Sequence, residues 1–580
     1  MPLDFRNLNT LWASVIIQTL QKLGLTTAII CPGSRSTPLT IAFATHPNIE
    51  TIPVLDERSA AFFALGMAKK NFKPVAIVCT SGTAGANFFP AIIEAKESQV
   101  PLLIFTADRP PELRDCHSGQ TIDQVKLYGN YPNWQTELAA PSLEMKMLAY
   151  LRQTIIYGWE KAMFPTRGPV HLNVPLRDPL PPLVRPEVIA FESQFSRYFF
   201  DAVKPILKTE FLLSSELINT LQKWDRCPRG IIIAGLAQPE EPEIYCQAIA
   251  RLSKALKWPV LAEGLSPLRN YSNLNRSLIS SYDIILRSKN LAAKLIPEFV
   301  VQIGELPTSK QLRKWLEIIK PQRWIVDKSD RNFDPLHGPT THLRLSVEQL
   351  VESLNLVSEF DASYLDLWRD ADGNVRKAIA EKMTSIKEII EPKVAWKISQ
   401  ILPTKTPLFI ANSMPVRDVE YFWVLNNSEV QPFFNRGANG IDGTLSTALG
   451  IAHRQQSSVL LTGDLALLHD TNGFLLRRKF IGHLTIILIN NRGGGIFEML
   501  PVANFDPPFE EFFATPQEID FADLCVTYGV EYEEIDSWEK LEFRLNPLPP
   551  SGIRVLELKS DRKADSKWRK ENLERFAEGL

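Results

Sequence analysis

The chain has 580 residues, 45% hydrophobic and 22% charged, with a formal net charge of −2. That length predicts roughly three or four globular domains. The balanced charge excludes a global basic field for nucleic acid or membrane, and no apolar run approaches about 18 residues, so no membrane span is expected and anion binding falls to locally focused Arg and Lys.

Helices and strands alternate through the first third. Residues 10–23 carry helical periodicity and stop at Gly24. A strand over 27–31 runs into Cys31-Pro32-Gly33-Ser34-Arg35-Ser36-Thr37-Pro38, a tight turn before a helix. Arg35 there reads either as a solvated loop charge or as an anion clamp helped by the helix N-terminus. A strand over 52–55 leads through Asp56-Glu57-Arg58-Ser59 into an apolar helix, which leaves Glu57 where strand becomes helix. Alone, Glu57 reads as a helix-start carboxylate favoured by the dipole. Next come a strand over 74–79, the turn Thr80-Ser81-Gly82-Thr83-Ala84-Gly85, a helix over 87–98, a strand over 101–107 and Asp108-Arg109-Pro110-Pro111-Glu112-Leu113. A further strand is expected over 168–175, and the Pro-rich stretch 176–187 reads as a linker. The rhythm predicts a doubly wound parallel sheet.

The middle third repeats it, with strands over 230–235, 258–263, 299–304 and 323–327 and helices near 244–256 and 309–320. No GxGxxG follows any of these strands, so a dinucleotide is not indicated. Lys310 opens a helix after a strand and loop, and reads as a surface lysine or a ligand cation. A polar helical stretch near 362–390 looks like a connector. Beyond it lie a strand over 407–412, Ser413-Met414-Pro415-Val416-Arg417, a strand over 430–435 and the loop Arg436-Gly437-Ala438-Asn439-Gly440-Ile441-Asp442-Gly443. The charged tail 561–575 reads as a solvated helix. The six cysteines lack CxxC spacing and the eight histidines form no HxH or HExxH pair, which argues for reduced thiols and against zinc. The start, MPLDFRNLNT, lacks a secretory pattern, so a cytoplasmic protein is expected.

Residues 458–497 organise the last third. A buried strand over 459–461 ends in Thr462-Gly463-Asp464, 474–480 carries the helix-like part of a crossover, and a second buried strand over 484–489 ends in Asn490-Asn491-Arg492-Gly493. A parallel crossover brings both strand tips to one sheet edge, where open α/β sheets bind ligands. One carboxylate, one amide oxygen and one backbone carbonyl make a hard-oxygen set suited to Mg²⁺. Gly-Asp followed after just under thirty residues by Asn-Asn resembles the signature of thiamin-diphosphate enzymes, in which the metal bridges protein and pyrophosphate. The plainer alternative is an ordinary βαβ unit with a polar strand end.

Five strings in one order sharpen that resemblance: 31–38, Thr80-Ser81-Gly82-Thr83, Asp108-Arg109-Pro110-Pro111-Glu112-Leu113, Asn435 to Gly443, and Gly463-Asp464-Leu465. From end to end the chain resembles the 2-succinyl-5-enolpyruvyl-6-hydroxy-3-cyclohexene-1-carboxylate (SEPHCHC) synthase family, where Leu in place of the common third Gly is usual. The resemblance implies an α/β fold of three doubly wound parallel-sheet domains: pyrimidine-binding (1–186), central (187–365) and pyrophosphate- and metal-binding (366–580). It implies a homo-oligomer, dimer or tetramer, with active sites built between subunits. The implied reaction decarboxylates 2-oxoglutarate and adds the succinyl unit to isochorismate, in menaquinone or phylloquinone biosynthesis, with thiamin diphosphate and Mg²⁺ or Mn²⁺. Another thiamin-diphosphate-dependent 2-oxoacid decarboxylase or synthase is the alternative.

Site roles follow from the same resemblance. Glu57 would activate the cofactor through its aminopyrimidine ring. Thr80, Ser81, Gly82, Ile441, Gly463, Asp464, Leu465, Asn491, Gly493, Ile496 and Phe497 would line the cofactor, with Ile441 as the wedge that keeps it bent. Asp464, Asn491 and the Gly493 carbonyl would hold the metal. Ser413, Arg417 and Arg436 would hold the end derived from 2-oxoglutarate, and Ser34, Arg35, Arg109, Gln120 and Lys310 isochorismate. Some relatives have Lys-Arg where this chain has Lys310-Gln311, which removes a second cation.

Overall fold

The computed structural model describes residues 3–201, 203–204, 215–352 and 360–578. Among them are three six-stranded sheets in which every strand pair is parallel. The first contains β1 (Thr27–Ile30), β2 (Glu50–Pro53), β3 (Val75–Cys79), β4 (Leu102–Asp108), β5 (Trp134–Glu137) and β6 (Pro169–Pro175), in the order β2-β1-β3-β4-β6-β5. The second contains β7 (Gly230–Ala234), β8 (Val260–Ala262), β9 (Leu278–Ile279), β10 (Phe299–Ile303), β11 (Gln322–Val326) and β12 (Thr340–Leu343), in the order β12-β11-β10-β7-β8-β9. The third contains β13 (Pro407–Ile410), β14 (Gln431–Phe433), β15 (Ser458–Gly463), β16 (His483–Asn490), β17 (Glu531–Glu534) and β18 (Gly552–Lys559), in the order β14-β13-β15-β16-β18-β17.

The first and third sheets therefore share one topology, although no residue-level repeat links them. In each, the chain reverses direction across the sheet between its first and third strands. Ligands in such sheets bind beyond the carboxyl ends of the strands at that reversal. Central strands are buried along their whole length because both faces are covered, as in β3 and β4, which are apolar except for Thr106 and Asp108 near the carboxyl end of β4.

The chain divides into two compact units. One joins Met1–Lys208 to Asn435–Gln455 and His469–Gly482; the other joins Thr209–Phe434 to Gln456–Leu468 and His483–Leu580. In the first unit the helix Thr444–Ala452 lies against the helix Glu57–Asn71 at a glycine crossing. A Cβ on Gly66 would lie 2.1 Å from the Thr447 carbonyl oxygen, and one on Gly450 the same distance from the Phe63 carbonyl oxygen.

Several expectations need correction. The tail is helical over Arg562–Glu578 but not solvated: Leu573 and Phe576 enter a core with Trp368 and Phe422, and Arg569 is 1% exposed. Its buried charges are paired, a feature that composition does not reveal. The crossover after β15 is an α-helix over Asp464–His469 and a 3₁₀ stretch over Thr471–Arg478, rather than a helix over 474–480. The helix expected over 87–98 is present as Phe89–Glu97, with Pro90 in its first turn, but the expected turn before it holds a short helix of its own, Thr83–Ala86. β2 lies two residues earlier than expected, leaving Leu55 68% exposed. The Pro-rich segment is no free linker, since Leu176 and Leu180 are buried in the first unit's core.

Candidate active site

In the first unit, the turns after β1, β3 and β4 converge. Arg35 is 8% exposed; its Nη1 donates to the Leu176 carbonyl at 2.9 Å and lies 3.8 Å from Asp178. Its Nε is buried without a hydrogen-bond partner among the described residues. Arg109 donates from Nη1 to the Ser81 hydroxyl, and Gln120 donates to the Ser81 carbonyl at 2.8 Å. Burial, and then the charge of Arg109, hold the Arg35 guanidinium below its usual range, so the two cations lie in each other's field. Beneath them, the fully buried Asp108 accepts from the Arg109 amide at 2.7 Å, from Asn173 at 2.9 Å and from Arg114 at 3.0 Å. Ser34 is exposed on the β1 turn.

Gly82 has φ +85°, which side chains rarely adopt, and its amide donates to Gln124 at 2.9 Å. Thr80, two residues earlier, is buried with an Oγ1 that has no hydrogen-bond partner among the described residues, and it packs on Gly33, whose missing Cβ would lie 2.2 Å from the Thr80 Cβ. The structure thus brings Arg35, Thr80, Ser81, Gly82, Arg109 and Gln120 together.

Glu57 is the first residue of its helix, which Asp56 caps by accepting from the Ser59 amide at 3.1 Å. Asp56 is itself held by Asn472 at 2.7 Å. Burial pushes the Glu57 carboxyl up, and the Asp56 charge adds to the effect. The Cys31 and Cys79 thiols, pushed up chiefly by burial, also feel the Glu57 charge, which sets it near the ends of β1 and β3.

The loop bearing Arg436 and Ile441, both half-buried, hangs on a residue that sequence reasoning missed. Glu94, 3% exposed, accepts from the amides of Gly437 at 3.1 Å and Ala438 at 2.7 Å, with Lys69 at 3.6 Å. Its only sequence signal is an acid that directly follows the apolar run FPAII.

In the second unit, the tips of β15 and β16 are adjacent, with Gly463 in register with Ile489. Asp464 is buried and accepts from the amides of Leu465 and Gly493, each at 2.8 Å. Burial pushes its carboxyl up to about 6. Gly493 has φ +134°, and a Cβ there would lie 2.3 Å from the Ala514 carbonyl oxygen. Asn491 is 6% exposed; its amide nitrogen donates to Glu391 at 3.3 Å, and its Oδ1 is buried without a partner among the described residues. A carboxylate and an orphaned amide oxygen on neighbouring strand tips fit a hard divalent cation. Ile496 and Phe497, half-buried, follow on the short helix Gly495–Glu498.

After β13, Ser413 adopts φ +74°, a strained conformation for a side-chain-bearing residue, and opens the helix Met414–Phe422. Arg417 turns back to donate to the Ser413 carbonyl, and burial lowers its guanidinium from the usual range. Lys310 is the exposed first residue of the helix Lys310–Ile319, capped by Ser309, whose hydroxyl donates to Asp283 at 2.5 Å.

Comparison with known proteins bears on this geometry. Residues 12–127 match the thiamine pyrophosphate enzyme N-terminal TPP binding domain, and 197–410 the middle domain of thiamine pyrophosphate enzymes. The crystal structure of benzoylformate decarboxylase from Polynucleobacter necessarius superposes with TM-score 0.70 over 95% of this chain and 98% of that one, at 16% identity, a likeness of fold alone. A SEPHCHC synthase of Trichodesmium erythraeum is 69% identical over 99% of this chain and all of its own length. Another, of Trichormus variabilis, is 62% identical over all of this chain and 99% of its own length. With identity of that degree along its whole length, on the fold of a thiamin-diphosphate enzyme, the chain belongs to the SEPHCHC synthase family.

Proposed function

We propose that this chain performs the reaction its relatives are named for: decarboxylation of 2-oxoglutarate and addition of the succinyl unit to isochorismate, giving SEPHCHC and CO₂ for menaquinone or phylloquinone synthesis. The observation that carries it is the Arg35–Arg109 pair. Arg35 is buried with an Nε that has no hydrogen-bond partner among the described residues, the Arg109 charge adds to the cost of that burial, and an anionic ligand offsets it. Both substrates are dicarboxylates, which a pyruvate-specific enzyme need not accommodate.

Thiamin diphosphate supplies the electron sink that a decarboxylation of this kind requires. Asp464, Asn491 and the Gly493 carbonyl would hold Mg²⁺ or Mn²⁺ against its pyrophosphate. Thr80, Ser81, Gly82, Gly463, Leu465, Ile496 and Phe497 would line it, and Ile441 would act as its apolar wedge. Glu57, with its carboxyl raised by burial, is suited to share a proton with a ring nitrogen. Ser413, Arg417 and Arg436 would bind the 2-oxoglutarate carboxylates, with Arg417 held in place by the Ser413 carbonyl. Ser34, Arg35, Arg109, Gln120 and Lys310 would orient isochorismate. The reading includes domains at 1–186, 187–365 and 366–580, a dimer or tetramer with shared sites, and a cytoplasmic location.

The test is CO₂ release by purified protein with thiamin diphosphate and Mg²⁺, comparing 2-oxoglutarate with pyruvate, each with and without isochorismate. Release from 2-oxoglutarate that rises with isochorismate is expected. Release from pyruvate alone would overturn the assignment.

A further inference from the structure

We propose that Arg569, on the C-terminal helix, is a positioning residue that fixes the metal-facing orientation of Asn491 through Glu391 and ties it to the helix bearing Arg417. The inference rests on reading Asp464, Asn491 and Gly493 as the metal site. An asparagine amide has a donor end and an acceptor end, and only the acceptor can bind a cation. The Asn491 amide nitrogen donates to Glu391 Oε2 at 3.3 Å. A carboxylate accepts only, so Glu391 turns the Asn491 Oδ1 away from itself, where it sits buried and unpartnered. Glu391, 2% exposed, is in turn held by Arg569 Nη2 at 2.8 Å from the same Oε2.

Arg569 carries a second load. Its Nε and Nη2 grip Asp418 at 2.8 and 2.5 Å as a planar fork. Asp418 follows Arg417 on the helix that opens at Ser413. One buried guanidinium thus joins the support of a metal ligand to the support of a substrate clamp. The same helix also grips the segment after Asn491: Arg562 donates to the Arg492 carbonyl at 2.9 Å and to the Glu498 carboxylate at 3.1 Å, and Lys570 to the Glu498 carbonyl at 2.7 Å. A lysine at 569 keeps the charge but lacks the fork, so it cannot hold both carboxylates in these places.

The test titrates Mg²⁺ into protein with thiamin diphosphate, read by calorimetry, alongside thermal melts without metal. Arg569→Lys is expected to weaken Mg²⁺ affinity about 10–100-fold, the usual loss when the partner behind a metal ligand is changed. Glu391→Asp keeps the charge but retracts it from Asn491, and is expected to do the same; it decides the matter if Arg569→Lys does not fold. Leu573→Ala, a packing change on the same helix, should lower the melting temperature and leave Mg²⁺ affinity within about twofold, since Leu573 lies in the apolar core. Wild-type affinity in Arg569→Lys and Glu391→Asp, or an equal loss in Leu573→Ala, would overturn the inference. If Asp464→Ala also binds Mg²⁺ like wild type, the metal-site reading falls with it; if Asp464→Ala alone loses binding, only the role of Arg569 falls.

Discussion

Replacing Gly66 and Gly373 by alanine, one at a time, sets packing against backbone propensity. Both glycines lie inside helices, Glu57–Asn71 and Ser363–Ser385. Propensity alone predicts that each substitution stabilises by about 0.5–1 kcal/mol. At Gly373 nothing lies within 4 Å of the new Cβ, so that gain should appear. At Gly66 the new Cβ would lie 2.1 Å from the Thr447 carbonyl oxygen and 3.0 Å from the Gly450 Cα, both backbone atoms that cannot rotate aside. The two helices must part by roughly 1 Å, and overpacking of this kind costs about 1–3 kcal/mol or more, enough to reverse the propensity gain. Thermal unfolding followed by circular dichroism should show Gly66→Ala melting below wild type and Gly373→Ala at or above it. Because Glu57 opens the Gly66 helix, thiamin-diphosphate affinity should also fall in Gly66→Ala alone. A Gly66→Ala protein that melts above wild type would refute the crossing geometry.

Glu57→Gln should fold normally, by circular dichroism, and lose most turnover; full activity in that variant would remove the proposed proton-sharing role. Chelation of divalent metal, or Asp464→Ala, should abolish tight thiamin-diphosphate binding in calorimetry, with unchanged affinity contradicting the site. Arg417→Ala should raise KM for 2-oxoglutarate about tenfold or more while leaving that for isochorismate near wild type, as loss of a charge-assisted pair implies; the reverse pattern would mean that the subsites are exchanged. His171 is buried and hydrogen-bonded to Thr106 at 2.7 Å, and burial lowers its imidazole to about 3. The unfolded chain takes up that proton first, so stability is lost as pH falls from about 6.5 toward 3. His171→Gln should give a shallower acid slope in denaturant titrations, and an unchanged slope would exclude His171 as its source.

The strand tips were legible because their chemistry is local. Asp464 and Asn491 follow apolar runs long enough to be central strands, and the parallel crossover fixes their edge. Arg109 likewise sits one residue past a strand, and Glu57 and Arg35 lie four and five residues past theirs. What was not legible is the frame behind them. Glu94, Asp108, Glu391 and Arg569 each work by contact with residues far away in sequence, and a buried acid or base has the same one-letter code as a solvated one. The tail shows this: its spacing of charges suits a surface helix, while the partners Glu391 and Asp418 hold Arg569 inside. The shared topology of the first and third sheets was also invisible, because strand order is set by connections and not by side-chain identity.

The first compact unit takes its last pieces from residues 435–455 and 469–482. On the ribosome, the helix Glu57–Asn71 emerges long before the helix Thr444–Ala452 that covers it. At about 5–20 residues per second, the wait is on the order of 20–80 s. Throughout that interval Phe63, Gly66 and Met67 lack the surface that later buries them. The nascent N-terminal half is thus a natural client for chaperones that shield apolar helices, and a truncation before residue 435 leaves it with an open seam.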